Sequence, residues 1–242
     1  MLRFFLVFTW IAVISFVFYP IALVASLLPW TKRTVPHLLA RFWAKTILWV
    51  SGIKVKIIGL ENIDLKRPYV FAANHQSQYD IFTLMAYLPV QFKWMAKQSL
   101  FYIPLVGWGM KACGYIPVKR ESPKEAYKAL LKAMKKIKEG YSIIVFPEGT
   151  RSLDGRIRPF KGGGMLLALR TGVPIVPVTI IGTRHILPKG GKRIKKGEVT
   201  IVIDKPIEVK GFTEKDKQKL AEKIRQIVLK NYKLHGGSVN GG

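Results

Sequence analysis

Residues 69–80 read YVFAANHQSQYD, an apolar run from Tyr69 to Ala73 that ends in Asn74 and His75 and reaches Asp80 just before a second apolar stretch, Ile81 to Leu88. The first run has the length and composition of a buried strand, the second those of a helix. A strand that enters a helix through a polar turn is the unit from which α/β layers are built, and open α/β sheets collect their ligands beyond the carboxyl ends of their strands. Ser77 is available as N-cap of the helix, which places His75 in the turn and Asp80 in the first helical turn. In one unbroken helix, residues five apart would point about 140° away from each other. The change of direction at the turn lets these two meet. A carboxylate on one ring nitrogen fixes the imidazole tautomer and leaves the other nitrogen to take a proton from a hydroxyl. Such general-base work contributes typically about 10²–10⁴-fold. A His beside an Asp is also an ordinary polar pair, so the segments on either side decide its meaning.

The same alternation extends outward. Strands are expected at Ile53–Ile58, Tyr69–Ala73, Phe92–Ala96, Tyr115–Val118, Ser142–Phe146, Ile175–Ile180 and Val199–Ile203. Helices are expected at Pro123–Glu139, where Ala126, Leu130, Ala133, Met134 and Ile137 form one stripe, and from an N-cap at Thr213 to Leu234. This order predicts an α/β fold with a mixed, mostly parallel sheet flanked by helices. Three more segments put charge directly after an apolar run: Lys93 to Lys97, Gly114 to Arg120, and Ile143 to Ser152, which reads IIVFPEGTRS. Lys97, Arg120 and Arg151 thus share one type of position, and arginine suits bidentate binding of phosphate.

The chain of 242 residues carries 40 Lys and Arg against 14 Asp and Glu, a formal charge of +26, which calls for an anionic partner: nucleic acid, an anionic membrane or a phosphorylated substrate. No charged residue lies between Arg3 and Lys32. A helix over residues 4–31 would be about 42 Å long, beyond the roughly 30 Å of a bilayer's apolar layer. Pro20 and Pro29 predict a kink or break, so the segment reads as a tilted span or a bent, half-immersed element. It is longer than the apolar part of a secretory signal and is read as a retained anchor. Lys32, Arg33, Arg41 and Lys45 follow it, against Arg3 before it, which puts the downstream side in the cytoplasm if it spans. Residues 34–50 set His37, Arg41 and Lys45 on one side of an amphipathic helix expected to lie on the membrane, the alternative being that it packs on the core. The expected division is therefore 1–51 membrane helices, 52–235 α/β domain and 236–242 a flexible Gly-rich tail. Cys113, the lone cysteine, sits in apolar surroundings and reads as buried filler, and the four histidines show no metal-ligand spacing, so no metal site is expected.

Residues Asn74 to Asp80 resemble the HX4D motif of the glycerolipid acyltransferases, in the NHxSxxD form of the 1-acylglycerol-3-phosphate acyltransferases. Gly114 to Arg120 is similar to that family's second motif and Phe146 to Ser152 matches the third, with Phe160-Lys161-Gly162 its usual continuation; Val173 to Val178 resembles the fourth. Pro117, Val118 and Lys119 depart from the second motif, where the family prefers an aromatic, an aliphatic and often an acidic residue. The resemblance implies transfer of a fatty acyl group from acyl carrier protein or acyl-CoA to the sn-2 hydroxyl of lysophosphatidic acid, giving phosphatidic acid. It implies His75 as base and Asp80 as its orienting acid, with Asn74, Ser77, Lys97, Arg120, Glu148, Gly149, Thr150 and Arg151 at the substrate. No cofactor beyond the acyl donor is expected; the partners are an anionic membrane and the two substrates, and the place is the cell membrane with the catalytic domain on its cytoplasmic side. Glycerol 3-phosphate or another lysophospholipid is the alternative acceptor. A nucleic-acid-binding protein or an inactive basic membrane adaptor is the alternative class; no nucleic-acid reading motif accompanies the charge.

Overall fold

The computed structural model describes residues 2–119 and 121–237. In chain order it runs α1 (Leu2–Leu27), α2 (Val35–Ser51), β1 (Ile53–Ile58), β2 (Val70–Ala73), α3 (Tyr79–Tyr87), β3 (Phe92–Lys97), α4 (Val106–Ala112), β4 (Ile116–Val118), α5 (Pro123–Lys138), β5 (Ser142–Val145), α6 (Gly163–Thr171), β6 (Ile175–Ile181), α7 (Thr183–Ile186), β7 (Gly197–Ile203) and α8 (Lys217–Leu234). The strands form one sheet in the order β1-β7-β6-β2-β5-β3-β4. Every neighbouring pair is parallel except β6 and β7. The mixed, mostly parallel sheet read from the sequence is therefore the observed one, with each strand within a residue or two of its expected bounds.

Strand β2 sits at the centre, Val70 paired with Ile143 of β5 on one side and with Ile175 of β6 on the other. A strand flanked by helices on both faces must be apolar at every position, and β2 reads VFAA with all four residues buried. Its side chains alternate between two cores. Phe71 and Ala73 face the layer of α1, α2 and α3, whereas Val70 and Ala72 face that of α5, α6 and α8. Helix α5 starts where Ser122 accepts the Glu125 N–H and Pro123 occupies the first turn. At the other end of the chain Thr213 and Asp216 form a capping box over a single 3₁₀ turn, Glu214–Asp216, and α8 proper follows from Lys217.

Two expectations are corrected. Helix α3 begins at Tyr79 rather than Ile81 and its N-cap position is Gln78; Ser77 instead receives the Tyr79 N–H at 3.2 Å and donates its own hydroxyl to the Leu187 carbonyl at 2.7 Å. Helix α2 is not simply a surface element: Ala44, Ile47, Leu48 and Ser51 are buried on the side that meets α3 and β1, His37 is buried beside Phe92 of β3, and the Ser51 hydroxyl bonds Tyr79 at 2.7 Å. Burial, with Lys93 and Arg41 nearby, holds His37 down to about 4, so this residue belongs to the core and is neutral at physiological pH. The opposite side of α2 exposes Leu38, Phe42 and Trp49. Helix α1 continues through Pro20 as one element and packs on α2 and α4, with Trp43 donating its indole N–H to Ser15 at 3.0 Å. It is long and apolar enough to cross a membrane, and most of its surface is not covered by the rest of the chain. Cys113 is buried and unpaired.

Candidate active site

The site forms where β2 ends. Asn74 continues the β2–β6 ladder with its side chain, donating to the Ile180 carbonyl at 2.9 Å and accepting the Ile180 N–H at 2.8 Å. Both ends of its amide are thereby used, in full burial. His75 follows with its backbone clamped on two sides: its N–H donates to Glu148 at 2.7 Å and its carbonyl accepts the Ser152 N–H at 2.9 Å. Its ring lies flat on Phe146, centroids 3.9 Å apart and planes 13° apart, and Phe146 in turn stacks on Trp94 at 5.4 Å. Packing and backbone therefore fix the imidazole before any substrate arrives.

The dyad is present. His75 Nδ1 lies 2.8 Å from Asp80 Oδ2. The same oxygen accepts the N–H groups of Gln76 at 2.7 Å and Ser77 at 2.8 Å, and Oδ1 accepts the Thr183 hydroxyl at 2.5 Å. A carboxylate accepts, so Nδ1 carries the proton and Nε2 keeps its lone pair. Asp80 is fully buried and the His75 side chain is 13% exposed, so the base reaches the cleft while its partner stays dry.

Glu148 is buried with one oxygen on the His75 N–H and the other on the Arg158 N–H at 3.0 Å. Burial pushes its carboxyl up to about 7, against the two N–H bonds that favour the charged form. Gly149 takes φ +77, the left-handed conformation that lets the chain turn sharply after Glu148. Beyond the turn, Thr150 and Arg151 come to the cleft. Lys189 joins them from the loop after α7, its ammonium donating to the Thr150 hydroxyl and the Arg151 carbonyl at 3.2 Å each.

A cavity of about 360 Å³ opens beside this cluster, a size ordinary for a small-molecule pocket. His75, Gln78, Lys97, Thr150 and Arg151 contribute to its lining, and the rest is largely apolar: Phe82, Met85, Trp94, Met110 and Tyr115, with Phe18, Tyr19, Leu39 and Trp43 from α1 and α2. A wider groove of about 600 Å³ between the 154–159 loop and α8 contains neither dyad residue. Among the described residues no three His, Cys, Asp or Glu side chains gather as a metal site would require.

Of the expected site residues, His75, Lys97, Thr150 and Arg151 meet at one cavity, with Asp80 directly behind His75. Asn74, Ser77 and Glu148 spend polar atoms on Ile180, Leu187 and the backbone of His75 and Arg158, and so hold the turn that carries the base. Arg120 lies outside the described residues. Thr183 and Lys189 were missed. Thr183 is a polar residue directly after the end of an apolar strand, the same signal that marked His75, whereas Lys189 sits in a Pro/Gly loop without any periodic pattern.

Residues 54–181, from β1 through β6, match the Acyltransferase family. The chain belongs to that family. This acyltransferase chain is 42% identical over 178 residues to a chloroplastic 1-acyl-sn-glycerol-3-phosphate acyltransferase of Brassica napus, a match covering 73% of the chain and 51% of the relative. An enzyme of the same name from Borreliella burgdorferi is 35% identical over 193 residues, covering 80% of the chain and 77% of the relative. The chain thus spans about half the length of the plant relative and most of the bacterial one. Among solved structures, the 1-acyl-sn-glycerophosphate (LPA) acyltransferase of Thermotoga maritima superimposes with a TM-score of 0.81 at 30% identity over 96% of both chains.

Proposed function

We propose that the chain transfers a fatty acyl group from acyl-CoA or acyl carrier protein to the sn-2 hydroxyl of lysophosphatidic acid, forming phosphatidic acid. The observation that carries this reading is the juxtaposition of an oriented imidazole, two cations and an apolar cavity in one lining. His75 Nε2 takes the hydroxyl proton as the oxygen attacks the thioester carbonyl. Asp80 stabilises the imidazolium that forms, the ester C–O bond replaces the C–S bond, and the proton leaves with the thiolate. Thiolate is a good leaving group, so one residue serves as both base and acid. Arg151 and Lys97 offer charge for the acceptor phosphate and so place the hydroxyl near His75, an effect of large potential size. The apolar lining suits an acyl chain. The names of the relatives support the acceptor chosen here.

Residues 1–51 serve in this reading as the membrane anchor of a catalytic domain formed by 52–235. The exposed apolar surface of α1 and the outer residues of α2 support contact with a membrane, and the excess of cations after α1 supports an anionic cell membrane with the catalytic domain on its cytoplasmic side. The test compares membranes carrying wild type and His75→Ala, given lysophosphatidic acid and a labelled acyl thioester. Phosphatidic acid formation is expected to fall to background in the variant. Equal formation above background in both removes His75 as the base.

A further inference from the structure

From the end of β3 into α4 the chain carries no charge, Gln98 to Met110, a stretch bracketed by Lys97 and Lys111. Its inward side chains, Leu100, Val106 and Met110, belong to the lining of the apolar cavity. Its outward ones do not pack: Tyr102 is 72%, Ile103 45% and Trp108 51% exposed. Large apolar side chains projecting together from a loop are unfavourable in water and mark a contact with something apolar.

The loop is nevertheless held firmly. Leu105 has φ +62 and ψ −56, and the Val106 N–H donates to the Pro104 carbonyl at 2.7 Å, closing a γ-turn of the rare positive-φ kind. A non-glycine residue in such a conformation persists only where its surroundings enforce it. Here they do. The Gly107 N–H bonds the Ile103 carbonyl at 2.7 Å, and a Cβ on Gly107 would lie 2.2 Å from the Phe101 carbonyl oxygen. Gly109 sits so close to α1 that a Cβ there would lie 2.5 Å from the ring of Tyr19. The turn is thus fastened to the apolar helix, and its exposed aromatic residues add to the exposed apolar side chains that α1 and α2 carry, among them Phe16, Val24, Phe42 and Trp49.

We propose that Tyr102–Trp108 is a second lipid-contacting element, set in the same membrane face as α1 and forming the lipid-side wall of the acyl cavity. The occupant is the bilayer itself. Tyr and Trp favour the level of the headgroups, where one edge of the ring is wet and the other is not. Lys111, exposed at the far end of the uncharged stretch, meets anionic headgroups there. An acyl chain then passes from the leaflet into the cavity along an apolar wall without crossing water. This inference rests on the reading of α1 as a membrane element, and the experiment separates the two.

In a Cys113→Ala background, single cysteines replace Trp108, Tyr102, Phe8 on α1 and Lys219 on α8, and each is labelled with an environment-sensitive fluorophore. Labelled protein is mixed with phosphatidylglycerol–phosphatidylcholine vesicles, with and without nitroxide on the lipid acyl chains. Labels at 108 and 102 are expected to shift to the blue and to be quenched by the nitroxide, as the label at 8 does, while the label at 219 stays unshifted. If 8 responds and both 108 and 102 behave like 219, the loop proposal is overturned and the reading of α1 stands. If none of the four responds, both fail. Insertion at 108 and 102 without insertion at 8 overturns the reading of α1 and, with it, the shared membrane face proposed here.

Discussion

Replacing Asp80 by asparagine separates the charge of this residue from its hydrogen bonds. The carboxylate takes three donors on Oδ2, from His75, Gln76 and Ser77, and one on Oδ1 from Thr183. An asparagine oxygen can keep the first three, and its amide then faces the Thr183 hydroxyl, which rotates to accept. The turn survives, but the imidazolium that develops during proton transfer loses its counter-charge. A hydrogen bond to a charged group is worth roughly 1.5–3 kcal/mol net. At about 1.4 kcal/mol per decade, Asp80→Asn should lower kcat by about ten- to 150-fold with a melting temperature near that of wild type. Asp80→Ala is different, because it strands the Gln76 and Ser77 N–H groups in a buried site. At about 1–3 kcal/mol for each, it should lose roughly 2–6 kcal/mol of stability. The assay is thiol release from acyl-CoA with lysophosphatidic acid, beside thermal melts of all three proteins. A kcat for Asp80→Asn within twofold of wild type would falsify the role given to the carboxylate charge. A melting temperature as low as that of the alanine variant would refute the hydrogen-bond account.

Glu148 makes stability depend on pH. Its carboxyl is raised from 4.5 to about 7 in the folded chain, so between those values the folded state holds a proton that the unfolded state has lost. Stability from this group is therefore fully present below about pH 4.5, falls as pH rises towards 7 and levels off above it, a change of roughly 3 kcal/mol. Glu148→Gln should abolish that component, so that wild type loses ground to the variant from pH 4.5 to 7.5 in urea melts; parallel curves would count against the buried, protonated carboxyl. Lys189 acts as a positioning residue for the turn that bears Arg151. Removing its two partly exposed bonds, worth about 1 kcal/mol together, should raise the KM for lysophosphatidic acid about fivefold in Lys189→Ala and leave the donor KM and kcat unchanged. An equal rise in both KM values would show that Lys189 supports the fold in general and not the acceptor side.

The parallel sheet was legible because strands covered on both faces announce themselves as nearly continuous apolar runs, as β2, β5 and β6 do, with Ser142 and Thr179 the polar exceptions. The dyad was legible because both its members lie in one turn. What escaped was long-range. Asn74 and Ser77 come into the site with the family motif, and the partners that hold them in the structure, Ile180 and Leu187, are 106 and 110 residues away. Thr183 reaches Asp80 across a similar span. Helix α2 shows a limit of another kind, since an apolar face reads alike against lipid and against protein. Its polar side gave the wrong hint at His37, which is buried beside Phe92, their rings edge to face. Helix α3 starts early because Tyr79, polar by its hydroxyl, is fully buried and bonded to Ser51.

The parts of the site differ in how they are mounted. His75, the turn with Arg151 and the segment with Thr183 hang from β2, β5 and β6, three adjacent strands at the middle of the sheet, cross-tied by Asn74, Glu148 and Asp80. The apolar cavity beside them is walled mostly by α1, α2, α3 and the approach to α4, with Trp94 and Met95 of β3. In the proposed function, a change in how those helices pack would alter how many carbons fit while the strand ends keep the reacting atoms in register. On that reading, tolerance for different fatty acids and accuracy of proton transfer are open to separate tuning by mutation, one on the helical wall and the other along the strand ends.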